Sequence, residues 1–251
     1  MPIATHKHLL TAAVACVVGT ATSHAATIVD FTTVGGTGTI NLSNSTTLTI
    51  DVDALGNAAL DYTSAASPFL ADEVDNATAG TLAATGSPYT ITITMTGTAN
   101  DGTAGGPRGT NGLGVGIQGN GADVITFTGA VSQALNFEVD LSGLDPSLVF
   151  TLTSVDTNSS ANTPAPQLLD FTASAIALTA DTDSAVAGAG VSLAGGTVGS
   201  FTINSATAGN KAEIGFALGG FTFDVTPIPE PGSLALLTAG VGLIALRRRG
   251  A

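Results

Sequence analysis

The sequence predicts an all-β chain, an antiparallel β-sandwich that a jelly-roll-like path could wire, followed by a single short C-terminal transmembrane helix. Three observations carry this prediction. Several segments alternate apolar and polar residues with a period of two, as half-buried strands do. Glycine is abundant at 32 residues, and it falls with Thr, Ser, Asn and Asp between those segments, which suits many short strands and turns. The end of the chain is an uncharged apolar run closed by arginines.

Four segments alternate most clearly. "LTIDVD" sets Leu48, Ile50 and Val52 against Thr49, Asp51 and Asp53. "YTITITMT" puts Tyr89, Ile91, Ile93 and Met95 on one face and threonines on the other. "LNFEVDL" turns Leu135, Phe137, Val139 and Leu141 inward, and "FTFDVT" does the same with Phe221, Phe223 and Val225. Shorter strands are expected near 28–31, 113–117, 124–128, 148–155, 168–172, 176–178, 201–203 and 214–218. "SGLDPS" reads as the turn joining the strands near 141 and 148. "GTANDGTAGGPRGTNG" reads as a long glycine-rich loop and "DTNSSANTPAP" as a polar one. The Ala-containing segments 54–66 and 175–190 are the two places with helical character. No internal repeat stands out.

Charge narrows the partners. Eighteen of the 19 acidic residues lie between positions 26 and 226, with only Arg108 and Lys211 to offset them, so that segment carries −16. Such a surface repels phosphate backbones, and no nucleic-acid partner is expected. Amines, cations and neutral glycans are tolerated.

The N-terminus has the form of an export signal. Lys7 precedes an apolar stretch over 9–18, and Ser23 and Ala25 occupy the −3 and −1 positions of a signal-peptidase site. Residues 1–25 are therefore expected to be a signal peptide. His6, His8, His24 and Cys16 all lie within it, so the remaining chain has neither histidine nor cysteine. That composition excludes Ser-His-Asp triads, Cys-His dyads, His/Cys zinc sites and disulfides. No catalytic and no cofactor-binding residue is assigned, and the chain is expected not to be an enzyme.

Three weaker chemistries have candidate residues. Asp51 and Asp53 form one dense acidic pair and Asp72, Glu73 and Asp75 another, the kind of carboxylate grouping that hydrolyses glycosides. "DVDALGNAALDY" begins like an EF-hand loop, but Leu55 and Tyr62 stand where oxygen ligands are required. The oxygen-rich runs Asp72, Glu73, Asp75 and Asp181, Asp183 are the calcium candidates, against a solvated acidic surface as the plainer reading. With no Trp, only Tyr62 and Tyr89 could stack on a sugar, and Tyr89 falls on a core face.

The C-terminal segment 227–251 has three parts: Pro229-Glu230-Pro231, an uncharged run over 232–246, and Arg247, Arg248 and Arg249. The prolines forbid regular helix or central strand. The apolar run is about 22 Å long as a helix, a marginal span for a ~30 Å hydrocarbon core. The arginines would stay on the cytoplasmic side. This ordered triplet resembles the PEP-CTERM sorting signal of exported Gram-negative bacterial proteins. The resemblance implies recognition by exosortase, an integral-membrane cysteine transpeptidase, after signal peptidase has acted. It implies transient inner-membrane anchoring, then delivery to the cell surface or extracellular matrix of bacteria that make exopolysaccharide. It covers only the tail. For residues 26–226, the expected extracytoplasmic domain, the reading is a structural or adhesive, non-enzymatic protein. The alternative is a carbohydrate- or calcium-binding surface module associated with exopolysaccharide.

Overall fold

The computed structural model describes residues 27–30, 40–41, 45–64, 82–98, 104–105, 107–110, 114–117, 125–126, 133–161, 165–206 and 215–228. The first strands are β1 (Thr27–Asp30), β2 (Ile40–Asn41), β3 (Ser45–Val52) and β4 (Ala58–Ser64). Next come β5 (Tyr89–Thr98), β6 (Ala104–Gly105), β7 (Pro107–Thr110), β8 (Gly114–Ile117) and β9 (Ile125–Thr126). β10 (Ala134–Asp140), β11 (Leu148–Ala161), β12 (Pro166–Leu169), β13 (Ala175–Ala177) and β14 (Thr182–Ala185) follow. A 3₁₀ turn at Ala189–Val191 leads into β15 (Ser192–Ala194), β16 (Val198–Ser205) and β17 (Gly215–Pro227).

The strands form two antiparallel sheets. One runs β14-β11-β17-β8-β7-β2, with β1 and β9 also on β17 and β15 on β11. The other runs β13-β12-β16-β10-β5-β3-β4, with β6 on β5. The predicted alternation is what buries their facing sides. In β5, Tyr89, Ile91, Ile93 and Met95 are buried, while the threonines between them are exposed or half-buried. β3 and β10 alternate likewise. The two inner faces meet through aromatic rings. Phe137 of β10 stacks on Phe201 of β16 at 4.6 Å, and both meet Phe221 of β17 edge-on, at 5.6 and 5.8 Å. Aromatic contacts between sheets make one sandwich-like core.

Several expectations are corrected. The described part of segment 54–66, up to Ser64, holds no helix: Gly56, at φ 89, turns the chain into strand β4, which pairs with β3 from Val52↔Ala58 to Thr46↔Ser64. Residues 175–190 hold β13, β14 and the start of the 3₁₀ turn. The glycine-rich loop contains β6 and β7, and Pro107 sits at the first position of its strand, where a missing donor is tolerated. The polar stretch from Asp156 to Ala161 is the second half of β11. It stays in the sheet because β17 spans both of the shorter expected strands, 214–218 and 221–225, through a bulge at Gly219. The expected turn between Leu141 and Leu148 is present, with Leu144 N–H donating to Leu141 O and Leu148 N–H to Asp145 O, both at 2.9 Å.

Candidate functional site

The outer face of the second sheet presents hydroxyls in register. Thr47 and Thr49 of β3 lie beside Thr94 and Thr92 of β5, and Ser45 lies beside Thr96. Across β5, Thr96, Thr94 and Thr92 face Asn136, Glu138 and Asp140 of β10, and then Thr202, Ser200 and Val198 of β16. Exposed strand positions favour threonine because its branched side chain suits the pleat. Side-chain hydrogen bonds lace this surface. Thr90 Oγ1 donates to Asp51 Oδ1 at 2.7 Å, Asn136 Nδ2 to Thr98 Oγ1 at 3.0 Å, and Thr202 Oγ1 to Asn136 Oδ1 at 3.1 Å.

Beyond one end of this face lies a groove of about 300 Å³ between the 82–88 segment and the 141–147 turn. Thr85, Ser87, Pro88, Tyr89, Gly143, Leu144 and Asp145 line it. Tyr89 is a wall rather than a platform. Its hydroxyl donates to Ala83 O at 3.1 Å, and burial pushes its pKa up to about 12. Asp145 is an exposed carboxylate that accepts from Ser147 N–H at 2.8 Å, and this backbone bond holds its pKa below the usual value. The groove therefore offers hydroxyls, one carboxylate and an aromatic edge.

The described acidic residues named from sequence each sit in a different local setting. Asp51 is used by Thr90 on the outer face. Asp53 closes the β3–β4 turn, accepting from Asn57 Nδ2, Asn57 N–H and Leu55 N–H, and these bonds lower its pKa. Each of the two carboxylates is thus engaged in its own local hydrogen bonds. Asp181 is exposed in a left-handed turn at φ 58, and Asp183 lies on β14 directly opposite Asp156 of β11. The side chains of Asp156 and Asn158 also lie over Gly219. Asp156 escaped the sequence reading because "DTNSSANTPAP" has loop composition; only its cross-strand register reveals the neighbour. Among the described residues, no group of three or more His, Cys, Asp or Glu is placed to hold a metal ion.

Asp72, Glu73, Asp75, Pro229, Glu230, Pro231, Arg247, Arg248, Arg249 and the leader 1–25 lie outside the described residues, as does the side chain of Tyr62. No helix among the described residues is long and apolar enough to cross a membrane. No family model, curated protein or solved structure matches the chain.

Proposed function

We propose that this is an exported, non-enzymatic surface or matrix protein of structural or adhesive type. In this reading a sandwich-like domain is the cargo and segment 227–251 is its sorting signal and temporary tether. The observation that carries the display role is the laced hydroxyl and carboxylate face of the second sheet, a large ordered polar surface suited to hydrated matrix. The jelly-roll-like path and the C-terminal membrane helix belong to the same proposal. So do signal peptidase and exosortase as processing partners.

Each part of the tail has its own physical task. Pro229 and Pro231 keep the recognition segment out of regular structure. The run 232–246 holds it at the membrane. The three arginines resist transfer, at roughly 2.5–3.5 kcal/mol each at mid-membrane. Replacing Pro229-Glu230-Pro231 by alanines should leave the protein membrane-bound and unprocessed. Replacing Arg247, Arg248 and Arg249 by alanines should release uncut protein. Cell fractionation reads both, and a Pro229-Glu230-Pro231 variant that matures like wild type overturns the sorting role.

The groove at Thr85, Ser87, Tyr89 and Asp145 favours a second reading, a carbohydrate-binding module. Retention of the purified chain on immobilised exopolysaccharide, lost in Asp145→Ala with the fold intact, would select it over the structural reading.

A further inference from the structure

Both sheets have one end in common with the start of the tail. At that end β3 finishes at Val52 opposite the first residue of β5, Tyr89. β10 finishes at Asp140 opposite the first residue of β16, Val198. β11 starts at Leu148 opposite Pro227, near the exit of β17. Backbone hydrogen bonds tie the connecting turns together there. Leu82 N–H donates to Gly56 O at 2.9 Å, Leu141 N–H to Thr197 O at 2.9 Å, and Ile228 N–H to Ser147 O at 2.7 Å. β1 runs antiparallel to β17, with Thr27 opposite Phe223 and Asp30 opposite Gly220, so its first residue is the one nearer this end.

Among the described residues, the large apolar side chains that stand exposed are Leu55, Val198 and Ile228, at 74%, 55% and 41%. All three lie at this end: Leu55 at the tip of the β3–β4 turn, Val198 at the start of β16, and Ile228 past the end of β17. Singly they would mean little. Their shared location beside the tail is the informative point. Ile228 is four residues from Gly232, where the uncharged run begins. Four Cα–Cα steps of about 3.8 Å reach no further than about 15 Å, whatever their conformation.

We infer that this end of the sandwich rests on the lipid surface that holds the tail, with Leu55, Val198 and Ile228 reaching its headgroup layer; the inference depends on the tail being membrane-anchored, as proposed above. The exposed carboxylates Asp53 and Asp145 share this end, so a zwitterionic surface suits it better than an anionic one. The groove lined by Thr85 and Asp145 then faces the bilayer while the tail is intact and opens to solvent once the tail is cut.

The test uses the full chain carrying Cys16→Ser, which leaves an introduced cysteine as the sole thiol. A fluorophore is attached at Leu55→Cys or Val198→Cys, or at Ser45→Cys, an exposed site at the opposite end of β3. Each protein is reconstituted in phosphatidylcholine vesicles containing headgroup spin-labelled lipid. Quenching several-fold stronger at positions 55 and 198 than at 45 is expected, and mixing in phosphatidylglycerol at low salt should narrow the gap. Protein that floats with vesicles but is quenched equally at all three sites overturns the orientation alone. Protein that does not float with vesicles overturns the membrane tether, and this inference with it.

Discussion

The carboxylate of Asp170 lies against the α-carbon of Gly190, so closely that a methyl group on Gly190 would overlap it. The contact joins the turn after β12 to the 3₁₀ turn before β15, and Phe171 N–H donates to Gly190 O at 2.9 Å beside it. Asp170 is buried and cannot easily swing away. Gly190→Ala should therefore destabilise the fold by about 1–3 kcal/mol, as overpacking does. At Gly143 a Cβ would meet only the Thr90 carbonyl oxygen, at 3.7 Å, and Gly143→Ala should stay within about 0.5 kcal/mol of wild type. Urea midpoints compare the two, and equal losses would contradict the contact.

Asp170 also sets a pH dependence. Burial alone would raise its pKa, but the Thr172 hydroxyl and the Thr172 and Ser174 N–H groups outweigh burial and hold it below 3.8. A folded pKa below the unfolded one gives stability that is full above pH 3.8 and is lost as pH falls through the folded value. Acid also relieves repulsion within the −16 segment, which works the other way. The difference between wild type and Asp170→Asn isolates the local effect. That gap should be constant from pH 7 to about 5 and shrink below pH 4 in urea unfolding. A gap that widens in acid would reverse the assignment.

Thr46 is 1% exposed, and its Oγ1 has no hydrogen-bond partner among the described residues. A buried hydroxyl left unsatisfied costs about 1–3 kcal/mol, and valine keeps nearly the same shape. Thr46→Val should raise stability by about 1 kcal/mol. A lower urea midpoint would show that the hydroxyl is satisfied in solution.

Strands whose faces differ in polarity were legible in the sequence. β3, β5, β10 and the second half of β17 all follow their period-two pattern. β4 was not, because "AALDYTS" carries alanines that suit a helix equally well, and pairing with β3 decided its conformation. The end of β11 was hidden for a related reason: Asp156, Asn158 and Ser159 have turn propensity but are held by β17. The groove could not be read at all. It joins Thr85 to Asp145 through the meeting of two turns, and no local pattern encodes that.

Asp156 and Asp183 face each other across β11 and β14. Like charges directly opposite on an antiparallel pair oppose folding. Asp183→Asn should stabilise the chain by roughly 0.2–1 kcal/mol, with a smaller gain at high salt. Thermal unfolding at two ionic strengths checks both parts. A destabilised variant would mean that the Asp183 charge is used by another group.

The largest loss should come from the centre of the core. Phe221 is 2% exposed and meets Phe137 and Phe201 of the other sheet, both edge-on, with Phe223 tilted beside it at 6.4 Å. Removing its ring takes away buried apolar surface, leaves a cavity between two sheets and breaks both edge contacts together. Phe221→Ala should cost about 3–5 kcal/mol. Against a typical total of about 5–15 kcal/mol, that is enough to bring the domain near its unfolding threshold. Phe171 offers the contrast: it is only partly buried and packs at the margin, edge-on to Phe150 at 6.1 Å and Phe201 at 5.7 Å. Its solvent-facing side has less to lose, so Phe171→Ala should cost clearly less. Denaturant unfolding of both variants gives the ranking, and a Phe221→Ala loss no greater than that of Phe171→Ala would place the core elsewhere.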